Sequence, residues 1–572
     1  MYLDPGLREI PTQIGIDSKD KEEGLKELVK TIHEGGAGAI AHLNHPGRMA
    51  NPRIPGNLFI SSTDRPCENG GAAPVRMEES GMEAVVSLFT DAAIFAEKVG
   101  FDALELQLGH GYLLAQFLSP GVNDRDDAYG GSFENRARFP LMVVDAVRET
   151  VDLPILVRVS GSEMIPEGIH IDETVRLARV LNERGIEAVH VSAGTVCSTP
   201  PWDFQHMFVP MGKTWDFAEE IREKTGVKVA VVGRISDLEH AAQLEKRFPD
   251  AYLAVGRALV ADPDFIGKCL GSIPEPVRPC LACSEGCLGG VRSGLGLRCL
   301  VNPRVGREKL EDAPAQAPRS FAVVGAGLAG LQASLTLRER GHSVDLFERD
   351  EVGGQFNLAW RTPNKESMSK LVPYMKNAVD RIGVRIISSE ARAGDLQGYD
   401  GVVVATGARP RIPDIPGLDD YRVYDILGDK ELPRDKNVLI IGGGLIGVDV
   451  ATALIPRGNR ITIAKRTTDF GEDMEAIAKT LSLKMMKENG TTFSDHTSIY
   501  RIEGNRVFAR RDDEEIVFED IDLIVISTGM SSVDYLAREL SGSVPVWLVG
   551  DARDVGNART AIEDSYLTAR EL

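Results

Sequence analysis

Apolar positions recur in two alternating rhythms over the first 256 residues. In residues 21–34, Leu25, Leu28, Val29 and Ile32 fall at i, i+3, i+4 and i+7, which is one face of a helix, and Gly35 and Gly36 supply its stop. The apolar run Ala37–Leu43 follows. Short buried runs at 102–107, 154–159, 187–193, 228–232 and 251–256 then alternate with amphipathic segments, as parallel strands covered by helices do. That makes six strands by residue 256. A (β/α)8 barrel takes eight, in units of about 30 residues. The pattern therefore predicts an α/β chain that opens with a TIM-type barrel whose first two units (about 60 residues) are missing in front of Met1, the sequence being a fragment or the barrel incomplete.

The rhythm then changes. Residues 304–320, charged and then punctuated by Pro314 and Pro318, read as a linker. Beyond it, strand–glycine–helix units begin at Phe321 and Val438, the internal duplication of tandem Rossmann-like dinucleotide-binding domains. The expected domains are a barrel at 1–272, a cysteine segment and linker at 273–318, one dinucleotide domain at 319–435 with 520–572, and a second at 436–519.

A chain of 572 residues exceeds one core, in keeping with about three domains. No apolar run approaches the roughly 18 residues of a membrane helix, so no membrane partner is expected. The N-terminus lacks a basic segment followed by an apolar one, which points to the cytoplasm. A net charge of -20 argues against nucleic acid, whose backbone is bound by clustered Lys and Arg. The composition leaves room for a homo-oligomer. Cys67, Cys197 and Cys269 are scattered, whereas four of the seven cysteines lie between Cys280 and Cys299, a density that suggests metal rather than disulfides.

The spacing Cys280-x2-Cys283-x3-Cys287-x11-Cys299 can surround one metal centre. Spacing alone leaves tetrahedral zinc and a cubane [4Fe-4S] cluster both open. Neighbouring nucleotide motifs favour the cluster, because zinc has no redox chemistry to pass between cofactors. The sequence Gly325-x-Gly327-x-x-Gly330 lies between a strand and a helix, and Glu348 follows 18 residues after Gly330. Backbone N–H groups there can hold a pyrophosphate while Glu348 takes a ribose hydroxyl. Gly442-x-Gly444-x-x-Gly447 repeats the pattern, but the same offset lands on Lys465, followed by Arg466. A cationic pair in place of a carboxylate favours NADPH over NADH.

The stretch 104–139 runs Leu104-Glu-Leu-Gln107-Leu-Gly-His110-Gly-Tyr112-Leu-Leu-Ala-Gln116-Phe117, then Asn123, Arg125, Tyr129-Gly130-Gly131-Ser132 and Glu134-Asn135-Arg136-x-Arg138-Phe139. It closely resembles the old yellow enzyme family of FMN barrels. Taken with the cysteines and the tandem Rossmann units, nearly the whole chain resembles that family's larger branch, which contains 2,4-dienoyl-CoA reductase and trimethylamine dehydrogenase. The resemblance implies FMN, a [4Fe-4S] cluster, and FAD or ADP with NAD(P)H.

Carried over residue by residue, the resemblance implies that Arg158 lies at the flavin N1/O2 edge, where a cation stabilises the reduced flavin. Gly233-Arg234 and Gly256-Arg257 match the phosphate-holding segments. Tyr112 matches the proton-donating tyrosine. Gln107 and His110 stand where many members carry a His/His or His/Asn pair for the substrate carbonyl, and His42 replaces a flavin-contacting glutamine. Gly353-Gly354-Gln355, Ala405-Thr406-Gly407 and Gly550-Asp551 resemble further FAD contacts. His45, His206 and Cys197 are additional candidates at strand ends and loops. The implied reaction is NAD(P)H-dependent reduction of an activated C=C bond in an enoyl-CoA or enoate. The alternatives are amine oxidation by the same machinery run backwards and a non-catalytic electron-transfer subunit.

Overall fold

The computed structural model describes residues 1–68, 70–198, 200–310 and 313–572. Glu311 and Asp312 of the expected linker lie outside the described residues. The chain falls into two compact units, Met1–Gly256 and Arg257–Leu572.

In the first unit, helix α1 (Glu22–Glu34) precedes strand β1 (Ile40–Leu43). It buries Leu25 and Val29 but leaves Leu28 39% exposed, so its apolar face is narrower than the i, i+3, i+4 spacing suggests. Five more strands follow: β2 (Ala103–Gln107), β3 (Ile155–Ser160), β4 (Ala188–Ser192), β5 (Val229–Val232) and β6 (Tyr252–Ala254). They form one sheet in chain order, every pairing parallel. β4 is buried along its whole length, as a strand covered on both faces must be. The six strands match the apolar runs of the sequence, and all deliver their C-terminal ends to one side.

In the second unit, β7 (Ser320–Val324), helix α2 (Leu328–Glu339) and β8 (Ser343–Glu348) make the first nucleotide-binding turn. Their parallel sheet runs Arg385–Ser388, β8, β7, Gly401–Val404, Val546–Leu548. The second such turn is β9 (Asn437–Ile441), α3 (Leu445–Leu454) and β10 (Arg460–Ala464). Its sheet runs Arg422–Val423, Leu523–Ile526, β9, β10, Thr492–Ser494. Two boundaries differ from the sequence reading, which ends the barrel at 272 where the first compact unit ends at Gly256, and which puts 520–572 in the first dinucleotide domain. Leu523–Ile526 pairs with β9 and belongs to the second sheet; only Val546–Leu548 returns to the first. An apolar tetrapeptide does not itself reveal which of two parallel sheets it joins.

The glycine motifs owe their residue type to close packing. A Cβ on Gly330 would collide with the Gly325 carbonyl, and one on Gly447 with that of Gly442, so each helix can start hard against its strand only with glycine there. The cysteine segment is tied to the first dinucleotide sheet. Leu281, Leu300 and Val301 join that core, with Cys280, Cys283 and Cys299 packed against it.

Candidate functional site

Within β1–β4, charged and polar side chains interrupt the apolar strands. Register sets His42 beside Glu105, Gln107 beside Arg158, and Arg158 beside His190. Glu105 lies between two imidazoles, with Oε1 2.7 Å from His42 Nδ1 and Oε2 2.6 Å from His190 Nδ1. Burial pushes its carboxyl pKa up, but the hydrogen bonds and charge of His190 and His42 outweigh that and hold it below the usual range.

Gln107 and His110 form a second chain. Gln107 Nε2 lies 3.1 Å from His110 Nδ1, and His110 Nε2 lies 2.7 Å from Ser192 Oγ. Burial, then the nearby charge of Arg158, pushes the His110 pKa well down, so the ring is neutral and both its nitrogens are engaged. His110 also has φ +60°, held by its N–H donating to Ser160 Oγ at 3.0 Å. Tyr112, two residues on, donates to Glu9 Oε2 at 3.1 Å. Burial raises the Tyr112 pKa far above that of an ordinary phenol, with the Glu9 charge adding to it, and burial also raises Glu9.

Several buried polar atoms here have no hydrogen-bond partner among the described residues: Gln107 Oε1, Arg158 Nε, His190 Nε2 and His45 Nε2. Each orphan costs about 1–3 kcal/mol. Four on neighbouring strand ends mark a place built to receive a polar ligand, and the donors and acceptors suit the pyrimidine edge of a flavin. Gly233 (φ +121°) and Arg234 (φ +47°) turn sharply after β5, with Arg234 Nη1 donating to the His206 carbonyl at 3.1 Å. Gly256 ends the first unit, and Arg257 opens a short helix in the second.

The structure places two of the additional candidates, and one of them, Cys197, is corrected. His206 is fully buried, and its Nδ1 accepts from Phe208 N at 3.2 Å. Cys197 is bonded to Cys67 in a disulfide, so it offers no free thiol to a substrate, and the scattered cysteines are not all isolated. A separation of 130 residues hides such a pair from sequence spacing.

The second unit holds a cavity of about 1770 Å³ lined by both glycine motifs, larger than a single small ligand needs. Glu348 accepts from Ala326 N at 2.7 Å and Asp350 N at 2.8 Å, which places its carboxylate at the mouth of the first motif. The Gln355 amide bonds to the Ala408 carbonyl, and Asp551 accepts from Gly556 N at 3.0 Å; both line the cavity. The two cationic candidates divide. Lys465 Nζ is held by the Asp469 carbonyl at 2.6 Å and Glu472 at 3.0 Å, whereas Arg466 is exposed at the cavity edge. Sequence reasoning did not single out Lys365 and Asp449, a buried ion pair at 2.6 Å in the cavity wall.

The four clustered cysteines carry free thiols. Burial pushes the pKa of Cys283 well up and that of Cys299 to about 12, and the neighbouring thiols add to both shifts, so the sulfurs share one environment. No three of them lie within 4.8 Å of one another among the described residues. Tetrahedral zinc with Zn–S near 2.3 Å would draw all four to about 3.8 Å. Four thiolates suit either such a zinc or an iron–sulfur centre. No described helix is long and apolar enough to cross a membrane.

The comparisons agree with this architecture. Residues 4–275 match the NADH:flavin oxidoreductase / NADH oxidase family, and residues 319–546 match pyridine nucleotide-disulphide oxidoreductase. The chain is 32% identical to the NADH oxidase of Thermoanaerobacter brockii, covering 99% of this chain and 90% of that one. It is 29% identical to the cinnamate reductase of Clostridium sporogenes, over 96% of this chain and 86% of that one. A structure of 2-naphthoyl-CoA reductase with 2-naphthoyl-CoA superposes with a TM-score of 0.92 at 25% identity, covering 100% of this chain and 90% of that one. The chain belongs to the NADH:flavin oxidoreductase / NADH oxidase family, in its multidomain, old yellow enzyme-like branch, and is an oxidoreductase.

Proposed function

We propose that the chain reduces an activated C=C bond of an enoyl-CoA or enoate at the expense of NAD(P)H. The observation that carries this reading is the Tyr112–Glu9 pair at the barrel mouth. A phenol held neutral there has a proton to give and no tendency to ionise at rest, which suits a reduction. When bound, FMN supplies hydride to the β-carbon, with electrons arriving from the nicotinamide through FAD and a [4Fe-4S] cluster. The chain's own groups do the rest. Tyr112 gives its proton to the α-carbon and is reprotonated from the Glu9 side. Arg158 and His42, on strands either side of β2, would hold the flavin's pyrimidine edge, and Gly233, Arg234, Gly256 and Arg257 its phosphate. His110, engaged on both nitrogens, acts by fixing the Gln107 amide rather than by touching substrate.

In the second unit, Gly325, Gly327, Gly330, Glu348, Gln355 and Asp551 would hold FAD, Gly442, Gly444, Gly447 and Arg466 the nicotinamide nucleotide, and Cys280, Cys283, Cys287 and Cys299 the cluster. Rapid mixing of NADPH-reduced enzyme with cinnamate and enoyl-CoA thioesters tests the direction. Fast reoxidation by an unsaturated acid or thioester is expected. If methylated amines instead reduce the oxidised enzyme and no enoate reoxidises it, amine oxidation is the activity.

A further inference from the structure

The strand registers of the two nucleotide-binding turns correspond residue by residue. Val324, just before Gly325, pairs with Phe347, and Glu348 is the next residue of β8; Ile441, just before Gly442, pairs with Ala464, and Lys465 comes next. Lys465 therefore stands where the first motif has its carboxylate, and an ammonium cannot accept from a ribose hydroxyl. Its side chain is 10% exposed, with Nζ held by the Asp469 carbonyl at 2.6 Å and by Glu472 Oε1 at 3.0 Å, whereas the side chain of Glu472 is 47% exposed and lines the cavity. Of the two charges, the carboxylate is the one open to a ligand. The loop that carries it is fastened to the glycine motif. Gly471 N donates to the Gly443 carbonyl at 2.7 Å, and the Phe470 ring packs so close to Gly443 that a Cβ there would lie 2.6 Å from Cδ1. An ion pair of Asp469 with Lys479 ties the same loop to the helix Ala476–Glu488. Asp473 also lines the cavity, its Oδ2 3.6 Å from where a Cβ on Gly444 would lie. Two carboxylates thus share this part of the cavity wall with Arg466.

On the reading that the second motif holds the nicotinamide nucleotide, we infer that Glu472 is the ribose-binding carboxylate of that site, and that it selects a nucleotide with a free 2′-hydroxyl, NADH, over one with a 2′-phosphate, NADPH. It fills from the loop the part that Glu348 fills from the strand end at the first motif. A ribose hydroxyl donates to a carboxylate. A phosphate monoester, carrying about two negative charges at neutral pH, offers it no proton and is repelled. Lys465 anchors Glu472 and spends its charge there and on the Asp469 carbonyl, so of the adjacent cations only Arg466 is left to meet a 2′-phosphate, and it does so beside Glu472 and Asp473.

The test titrates oxidised, FAD-loaded holoenzyme in a calorimeter with ADP-ribose and with 2′-phospho-ADP-ribose, which carry the two ribose ends but no hydride. Wild type should bind ADP-ribose the more tightly. Glu472→Gln should weaken ADP-ribose by roughly tenfold, the size of one charge-assisted hydrogen bond, and leave 2′-phospho-ADP-ribose bound as tightly as before or more so. A wild type that prefers the 2′-phosphate form, ADP-ribose binding that the substitution leaves unchanged, or a 2′-phosphate form that it weakens would each overturn the inference while the second motif stays a nucleotide site. If neither compound binds the wild type, the reading of that motif as the nicotinamide-nucleotide site fails, and the role of Glu472 falls with it.

Discussion

The phenol of Tyr112 donates a 3.1 Å hydrogen bond to Oε2 of Glu9, a residue 103 positions earlier in the chain. Tyr112→Phe removes the transferable proton and leaves a ring of nearly the same shape. Reduction of the flavins by NAD(P)H should be unchanged, while reoxidation by the unsaturated substrate slows roughly 10²–10⁴-fold, the usual cost of losing a general acid. Glu9→Gln keeps an acceptor for the phenol but removes the carboxyl proton. Because burial raises the folded Glu9 pKa, its protonated form is present at low pH and lost as pH rises through that value. Wild-type reoxidation should therefore fall along an alkaline limb that the Gln variant lacks. Identical pH profiles for the two would remove Glu9 from the proton path.

Lys465 and Arg466 are adjacent in sequence but differently placed. Lys465 spends its charge on Glu472 and the Asp469 carbonyl, and Arg466 remains at the cavity edge. Arg466→Ala should weaken NADPH relative to NADH by roughly tenfold, the loss of one charge-assisted hydrogen bond to the 2′-phosphate. Lys465→Ala should change that ratio much less. Steady-state KM values for both nucleotides in both variants decide between them.

Substitution of any one of Cys280, Cys283, Cys287 and Cys299 by serine should deplete iron and acid-labile sulfide and break electron flow between the two units' flavins. Reduction of FAD by the nucleotide should survive, because the glycine motifs and Glu348 lie on separate elements. One zinc and no iron in protein prepared without oxygen would contradict the cluster.

The sequence made the architecture legible because its strands are nearly continuous apolar runs and its nucleotide motifs need glycine for steric reasons that leave little choice. The assignment of Leu523–Ile526 was not legible, since sheet membership depends on chain crossing. At the barrel mouth, Gln107, His110 and Tyr112 stood in one motif. Glu9 and the Cys67–Cys197 bond lie far from their partners in sequence, and no local spacing announces them. Glu105 and His190 did leave a signal: each is a charged or titratable residue flanked on both sides by apolar residues within a buried strand. Such a residue is tolerated only with a partner.

That partnership gives a prediction for Glu105 itself. Glu105→Gln leaves one carbonyl oxygen where two carboxylate oxygens now serve His42 Nδ1 and His190 Nδ1, so one imidazole loses its acceptor. The loss should be about 1–3 kcal/mol, or a fall of roughly 5 °C in the barrel's melting temperature at neutral pH. Since the histidines hold the folded carboxylate below its usual range, its stabilisation is present above the unfolded glutamate pKa of about 4.3 and is lost as pH falls through the lower folded value. The gap between wild type and variant should then be full at neutral pH and shrink on acidification below about pH 4. Melting curves of both proteins from pH 7 down to the acid limit of solubility check this. A gap that stays constant into strong acid would mean that Glu105 acts by shape and not as a carboxylate, and the two histidines would then need another source of order.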